Sequence, residues 1–127
     1  MIVDDEEMVG EFMGDLLGNW GLEVTVVDSA QDARDRVLRD PAAFDLVLTD
    51  QTMPRLTGLE LAAQLHGACP DLPVILYTGY SENISAEQLA AAGVRALVKK
   101  PIDPPGLLAL LRRHLPAREG VARVAAQ

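Results

Sequence analysis

The chain has 127 residues, enough for one compact domain with one core. Hydrophobic residues make up 49% and charged residues 24%, ordinary globular usage that excludes disordered and fibrous classes. Eleven Lys and Arg against nineteen Asp and Glu give a net charge of -8, the wrong sign for neutralising nucleic-acid phosphates, so no nucleic-acid partner is expected.

In chain order, short β-type runs alternate with helical patterns, the signal for βαβ units around a parallel sheet. Strands are expected over residues 1–3, 22–27, 44–49, 74–78 and 96–98. Several are almost continuously apolar, as strands covered on both faces should be. Met8, Val9, Phe12, Met13, Leu16 and Leu17 recur at helical spacing and predict a first helix with one apolar stripe on the sheet. Ser29 with Asp32 has the form of a capping box opening a second helix, which carries Ala33, Val37 and Leu38 and stops before Pro41. A third helix is expected over 58–66, with Leu61, Ala62 and Leu65 inward. Ser85 with Gln88 forms a second such box, and its short helix ends at Gly93. Leu107, Leu108, Leu110, Leu111 and Leu115 mark a fifth helix ending before Pro116. Residues 1–115 are read as one domain and 116–127 as a tail, a frayed helix or the start of a linker. The first strand is short, as in a piece trimmed from a longer protein.

No apolar run reaches membrane-spanning length, and the N-terminus opens on acids instead of a basic segment, so the chain reads as cytoplasmic without direct membrane contact. The single Cys69 has no disulfide partner and no zinc-type spacing around it, and reads as a small packed thiol. His66 and His114 lack an acid or Cys at ligand spacing and read as surface or helix-end residues. Trp20 is expected to cover the end of the first helix and Tyr77 to pack in or beside the fourth strand. Gly18 and Gly21 fit a helix cap or turn, and no glycine-rich nucleotide loop follows the first strand.

Ligands of open parallel sheets bind where loops converge at the carboxyl ends of the strands. Asp4 and Asp5 close the first strand, Asp50 the third, Thr78 the fourth and Lys100 the fifth. Alone, Asp4 and Asp5 suit a solvated helix start, Asp50 a turn, Thr78 a strand-end hydroxyl and Lys100 a surface charge. Their joint placement reads instead as a site. Three carboxylates at one edge repel one another unless a cation neutralises them, and an all-oxygen ligand set suits a hard ion such as Mg²⁺. A lysine and a hydroxyl beside that cation then make a place for a transferred phosphoryl group, with Asp50 as nucleophile and an acyl phosphate as product.

The segments Ile2-Val3-Asp4-Asp5-Glu6, Leu48-Thr49-Asp50-Gln51-Thr52-Met53-Pro54 with Thr57-Gly58, Thr78-Gly79, and Lys99-Lys100-Pro101 resemble those of response regulator receiver domains, over about residues 1 to 115. The resemblance implies a flavodoxin-like (βα)5 doubly wound parallel sheet with strand order 2-1-3-4-5 and a cis Lys100-Pro101 bond. It implies Mg²⁺ held by Asp4, Asp5, Asp50 and the backbone carbonyl of Thr52, with Thr78 and Lys100 on the phosphoryl group. The implied partner is a histidine kinase or histidine phosphotransfer domain, reached through the apolar top of the first helix and the loop after the fifth strand. The chain itself is then a monomer or weak dimer and not an enzyme beyond its own phosphorylation and hydrolysis. Thr78-Gly79-Tyr80-Ser81-Glu82 with the stretch 50–54 looks most like receivers appended to hybrid sensor histidine kinases. One departure is Leu97, which stands where many members carry an inward-rotating aromatic, and Tyr80 is a partial substitute.

Two other functions compete. An aspartate-nucleophile phosphatase of the haloacid-dehalogenase type usually has a second acid two residues after the nucleophile, where this chain has Thr52. A flavodoxin-like interaction module that has lost phosphorylation would not need the full set of Asp4, Asp5, Asp50, Thr78 and Lys100.

Overall fold

The computed structural model describes residues 1–79, 83–115 and the backbone of 123–124. In chain order the elements are β1 (Ile2–Val3), α1 (Glu7–Asn19), β2 (Glu23–Val24), β3 (Val26–Val27), α2 (Ala30–Arg39), a 3-10 turn at Pro41–Ala43, β4 (Val47–Asp50), α3 (Gly58–Ala68), β5 (Val74–Thr78), α4 (Ala86–Ala91), β6 (Val94–Lys99), α5 (Pro104–His114) and β7 (Arg123–Val124).

A five-stranded parallel sheet runs in the order β3-β1-β4-β5-β6. Alternate strand residues feed opposite faces, as the period of two requires. Val3, Val47 and Val74 join Ala33, Val37, Leu61 and Leu65 from α2 and α3 in one core cluster. Ile2, Leu48 and Ile75 join Met13, Leu17, Leu107 and Leu111 from α1 and α5 in the other. The sheet is therefore covered on both sides, as its apolar strands suggest, in the flavodoxin-like arrangement that the resemblance implies. The chain moves from β1 outward to β3 and then crosses to β4 on the other side of β1. This reversal leaves a crevice at the carboxyl ends of β1 and β4.

The strand order differs from the expected 2-1-3-4-5 because the single strand read over 22–27 is two. Ile2 pairs with Val26 and Val3 with Val27, so Glu23 and Val24 lie beyond that register and pair with Arg123 and Val124 instead. The order in observed numbering is thus 3-1-4-5-6. That pairing also puts Arg123–Val124 in a strand, where a frayed helix or linker was expected; 116–122 and 125–127 lie outside the described residues. The third strand starts at Val47, after the 3-10 turn, and includes Asp50 as its last residue.

The helix stripes are narrower than the sequence suggests. Met13 and Leu17 are fully buried, but Met8 is 83% and Phe12 56% exposed, because six apolar positions cover more of the helix than the sheet can contact. Leu38 is likewise exposed, with Ala30, Ala33 and Val37 forming the buried side of α2.

Helix starts follow local chemistry. Ser85 and Gln88 form the reciprocal capping box of α4. Thr57 and Glu60 form another on α3. Ser29 makes half of one, accepting the Asp32 N–H at 3.1 Å, because the Asp32 carboxylate is engaged by Arg36 at 3.2 Å. Gly93 closes α4 at φ 75°, a conformation that favours glycine, and a Cβ there would strike the His66 side chain.

Candidate functional site

Four strand ends deliver the site. Asp4 leaves β1 and is turned back on itself: its Oδ1 accepts the N–H of Glu6 at 2.9 Å. Its Oδ2 accepts the hydroxyl of Tyr77, on β5, at 2.7 Å. Asp50 ends β4 with 2% of its surface exposed, and Asp5 is open to solvent. One carboxylate oxygen from each of Asp4, Asp5 and Asp50 can be chosen so that all lie within 4.8 Å of one another. Lys100 follows β6, and its Nζ stands 3.2 Å from Asp50 Oδ1. The peptide between Lys100 and Pro101 is cis, and the Lys100 N–H donates to the Thr78 carbonyl at 2.7 Å.

The loop after Asp50 is held from both sides. Gly58 packs so closely on the Asp50 carbonyl that a Cβ would collide with it. Gln51 accepts the Leu59 N–H on its side chain at 2.7 Å and the Gly58 N–H on its carbonyl at 3.1 Å. Thr49 donates its hydroxyl to the Asp50 carbonyl at 3.0 Å. Arg55 takes the left-handed turn conformation, φ 71°, between Pro54 and the helix cap. The Asp50 end of β4 is thereby fixed to the start of α3.

Electrostatically the pocket carries an excess of negative charge. Burial holds the Asp50 carboxyl above the usual carboxylate range, and the neighbouring Asp4 pushes it further, while Lys100 opposes both. Burial also pushes the Tyr77 hydroxyl up, followed by its hydrogen bond to Asp4, so it stays a donor. Thr78 Oγ1 is buried and has no hydrogen-bond partner among the described residues. A buried hydroxyl in this state is available to a water or a ligand at the strand ends. Three clustered carboxylates balanced by one lysine have room for further positive charge, and oxygen donors match Mg²⁺.

The structure thus brings Asp4, Asp5, Asp50 and Lys100 together, with Thr78 one residue beyond Tyr77, the register partner of Asp50. Thr52 is in the exposed part of the loop two residues beyond Asp50. Tyr80, Ser81 and Glu82 lie outside the described residues. Tyr77 is the site residue that the sequence did not single out; its one signal was its place immediately before Thr78. A separate cleft of about 660 Å³ lies at the amino ends of the strands, near Phe44, Cys69, Arg95 and His114, away from the acidic cluster.

Similarity to known proteins agrees with this geometry. The family model of the response regulator receiver domain matches residues 1–112. Response regulator protein PilR of Pseudomonas aeruginosa is 33% identical over 125 residues, covering 98% of this chain and 28% of that protein. The C4-dicarboxylate transport transcriptional regulatory protein DctD of the same organism is 32% identical over 118 residues, covering 93% of this chain and 25% of that one. The chain therefore spans about a quarter of the length of these relatives. Since DctD is named a transcriptional regulator, the expectation of no nucleic-acid partner, drawn from charge alone, has no support at the level of a whole protein. A CheY-like receiver domain from Methanospirillum hungatei superposes with a TM-score of 0.79 at 28% identity, covering 88% of each chain. No helix of the described residues is long and apolar enough to cross a membrane. With the matched span taking in all four strand ends, the chain belongs to the response regulator receiver domain family of two-component signalling.

Proposed function

We propose that this receiver accepts a phosphoryl group on Asp50 from a histidine kinase or a histidine phosphotransfer protein. The observation that carries the reading is the Asp50 carboxylate, buried beside Asp4 and within 3.2 Å of the Lys100 ammonium. Asp50 Oδ attacks phosphorus, and the new O–P bond forms as the donor's N–P bond breaks, its electron pair returning to the ring nitrogen so that imidazole leaves neutral with the proton on its other nitrogen. Lys100 offsets charge on the transferred group, and the unpartnered Thr78 hydroxyl is a donor in waiting for one of its oxygens. Asp4, Asp5, Asp50 and the Thr52 carbonyl would hold Mg²⁺. When bound, the ion supplies positive charge that neutralises the carboxylates and the phosphoryl oxygens.

The domain acts on no separate substrate: its catalysis is its own phosphorylation and the later hydrolysis of the acyl phosphate. It works in the cytoplasm as a monomer or weak dimer. Exposed Met8 and Phe12, one turn apart on α1 beyond Asp5, support docking of a helical donor there. Attachment to a hybrid sensor kinase is supported by the sequence pattern of 78–82, whereas the relatives PilR and DctD carry regulator names.

Incubation with acetyl phosphate and Mg²⁺ is expected to add one phosphoryl mass to the intact chain. Chelating the metal or substituting Asp50→Asn should abolish the gain. An unchanged mass in the wild type would favour an interaction module without phosphorylation. Sustained release of phosphate from many small phosphoesters would favour a phosphatase.

A further inference from the structure

Nothing in the roles of Asp50, Thr78 and Lys100 calls for a phenol at position 77, where an aliphatic side chain would fill a strand core equally well. Yet Tyr77 is fully buried and its hydroxyl reaches Asp4 Oδ2 at 2.7 Å, the length of a charge-assisted O–H···O⁻ bond. The other oxygen of the same carboxylate accepts the Glu6 N–H at 2.9 Å. One donor alone would leave the carboxylate plane free to rotate, because its terminal torsion is broad. Two donors on its two oxygens fix that plane, and each oxygen keeps lone-pair capacity for a cation. The Tyr77 ring also lies under Lys100, whose Nζ is 5.2 Å from its centroid, within cation–π range. Its carbonyl accepts the Gln51 N–H at 3.1 Å, tying β5 to the residue after Asp50.

We propose that Tyr77 is a positioning residue of the acidic pocket, its hydroxyl presetting the Asp4 carboxylate for the divalent cation and its ring supporting Lys100. This inference rests on the reading of Asp4 as a Mg²⁺ ligand. A preset ligand loses less freedom when the cation arrives, so the contribution belongs to metal affinity, not to the phosphoryl transfer that follows.

The test is a Mg²⁺ titration of ¹⁵N-labelled wild type and Tyr77→Phe, followed through the amides of Glu6 and Gln51. Tyr77→Phe keeps the ring and removes only the oxygen. It should weaken Mg²⁺ binding by about tenfold, the size seen when a partner of a metal ligand is removed. Phosphorylation by acetyl phosphate should then need correspondingly more Mg²⁺ and recover when Mg²⁺ is in excess. Equal or tighter Mg²⁺ binding by a folded Tyr77→Phe would overturn the proposal while leaving the metal reading intact. A wild type whose amides do not respond to Mg²⁺ would overturn both. A second measurement needs no change at position 77. The chain has 2 tyrosines, so Tyr80→Phe leaves Tyr77 as the one ¹³Cζ-tyrosine signal. That signal should move in step with Mg²⁺ saturation, and a signal that stays fixed through the titration would also overturn the proposal.

Discussion

Asp50 is held in a state that costs stability when it is ionised. Its carboxyl is nearly inaccessible, next to Asp4, and opposed by a single lysine, so ionising it in the folded protein costs more than in the unfolded chain. The sign follows from the raised pKa. The contribution of this group to stability is fully present below its unfolded-state pKa and is lost as pH rises through the higher folded value. Asp50→Asn removes that cost and should stabilise the metal-free protein at neutral pH. The gain should shrink toward zero as the pH falls to where the wild-type carboxyl is protonated. Urea melts of both proteins in the presence of a chelator, at neutral and acid pH, check both statements. Asp4, Asp5, Asp50, Thr78 and Lys100 were legible in the sequence because each polar residue ends or follows an apolar strand. Tyr77 was not, because an aromatic that continues Val74-Ile75-Leu76 reads as core, and its bond to Asp4 spans 73 residues of chain.

At the scale of elements, the placement of Asp50 depends on the contact between the end of β4 and the start of α3. Gly58 sits at this contact because no side chain fits between it and the Asp50 carbonyl. Gly58→Ala has to push the two apart, and overpacking of this kind should cost about 2 kcal/mol in urea unfolding. The displaced β4 end should also slow phosphorylation by acetyl phosphate. A Gly58→Ala protein with unchanged stability and rate would show that this contact does not position Asp50. The Ser85/Gln88 capping box and the strand cores were readable here because they depend on neighbours within a few residues, whereas Ser29 with Asp32 makes only half a box and the Thr57/Glu60 box was not read. The division of 22–27 into β2 and β3 was not, since it depends on the register with β1 and on pairing with Arg123–Val124. The exposure of Met8 and Phe12 was missed for a related reason: periodicity shows that a helix has apolar residues, but the width of the sheet decides how many are covered.

For the whole molecule, the doubly wound sheet separates two tasks. Its switch point gathers the charged groups at the ends of β1 and β4, and α1 beside it presents exposed apolar side chains. On the proposed function, acetyl phosphate would need only the first, whereas a protein donor would need both. Replacing Met8 and Phe12 together by Ala should therefore slow transfer from a histidine-phosphorylated donor at least tenfold, roughly the loss of 1.4 kcal/mol of docking energy. Phosphorylation by acetyl phosphate should stay within about twofold of wild type, well inside that 1.4 kcal/mol margin. Equal slowing with both donors would show that α1 acts through the fold and not as a docking surface. The overall architecture was legible because alternating strands and helices admit few parallel arrangements, while the activity of a whole protein was not, the chain covering about a quarter of the length of the relatives it matches.

Asp50 alone is expected to take the phosphoryl group, and the most direct measurement locates the modification. The protein is treated with acetyl phosphate and Mg²⁺, trapped by borohydride reduction of the acyl phosphate, and mapped by peptide mass spectrometry. Reduction confined to Asp50, and dependent on Mg²⁺, is the result expected. Reduction at Asp4 or Asp5 with Asp50 intact, or at no carboxylate, would contradict the assignment.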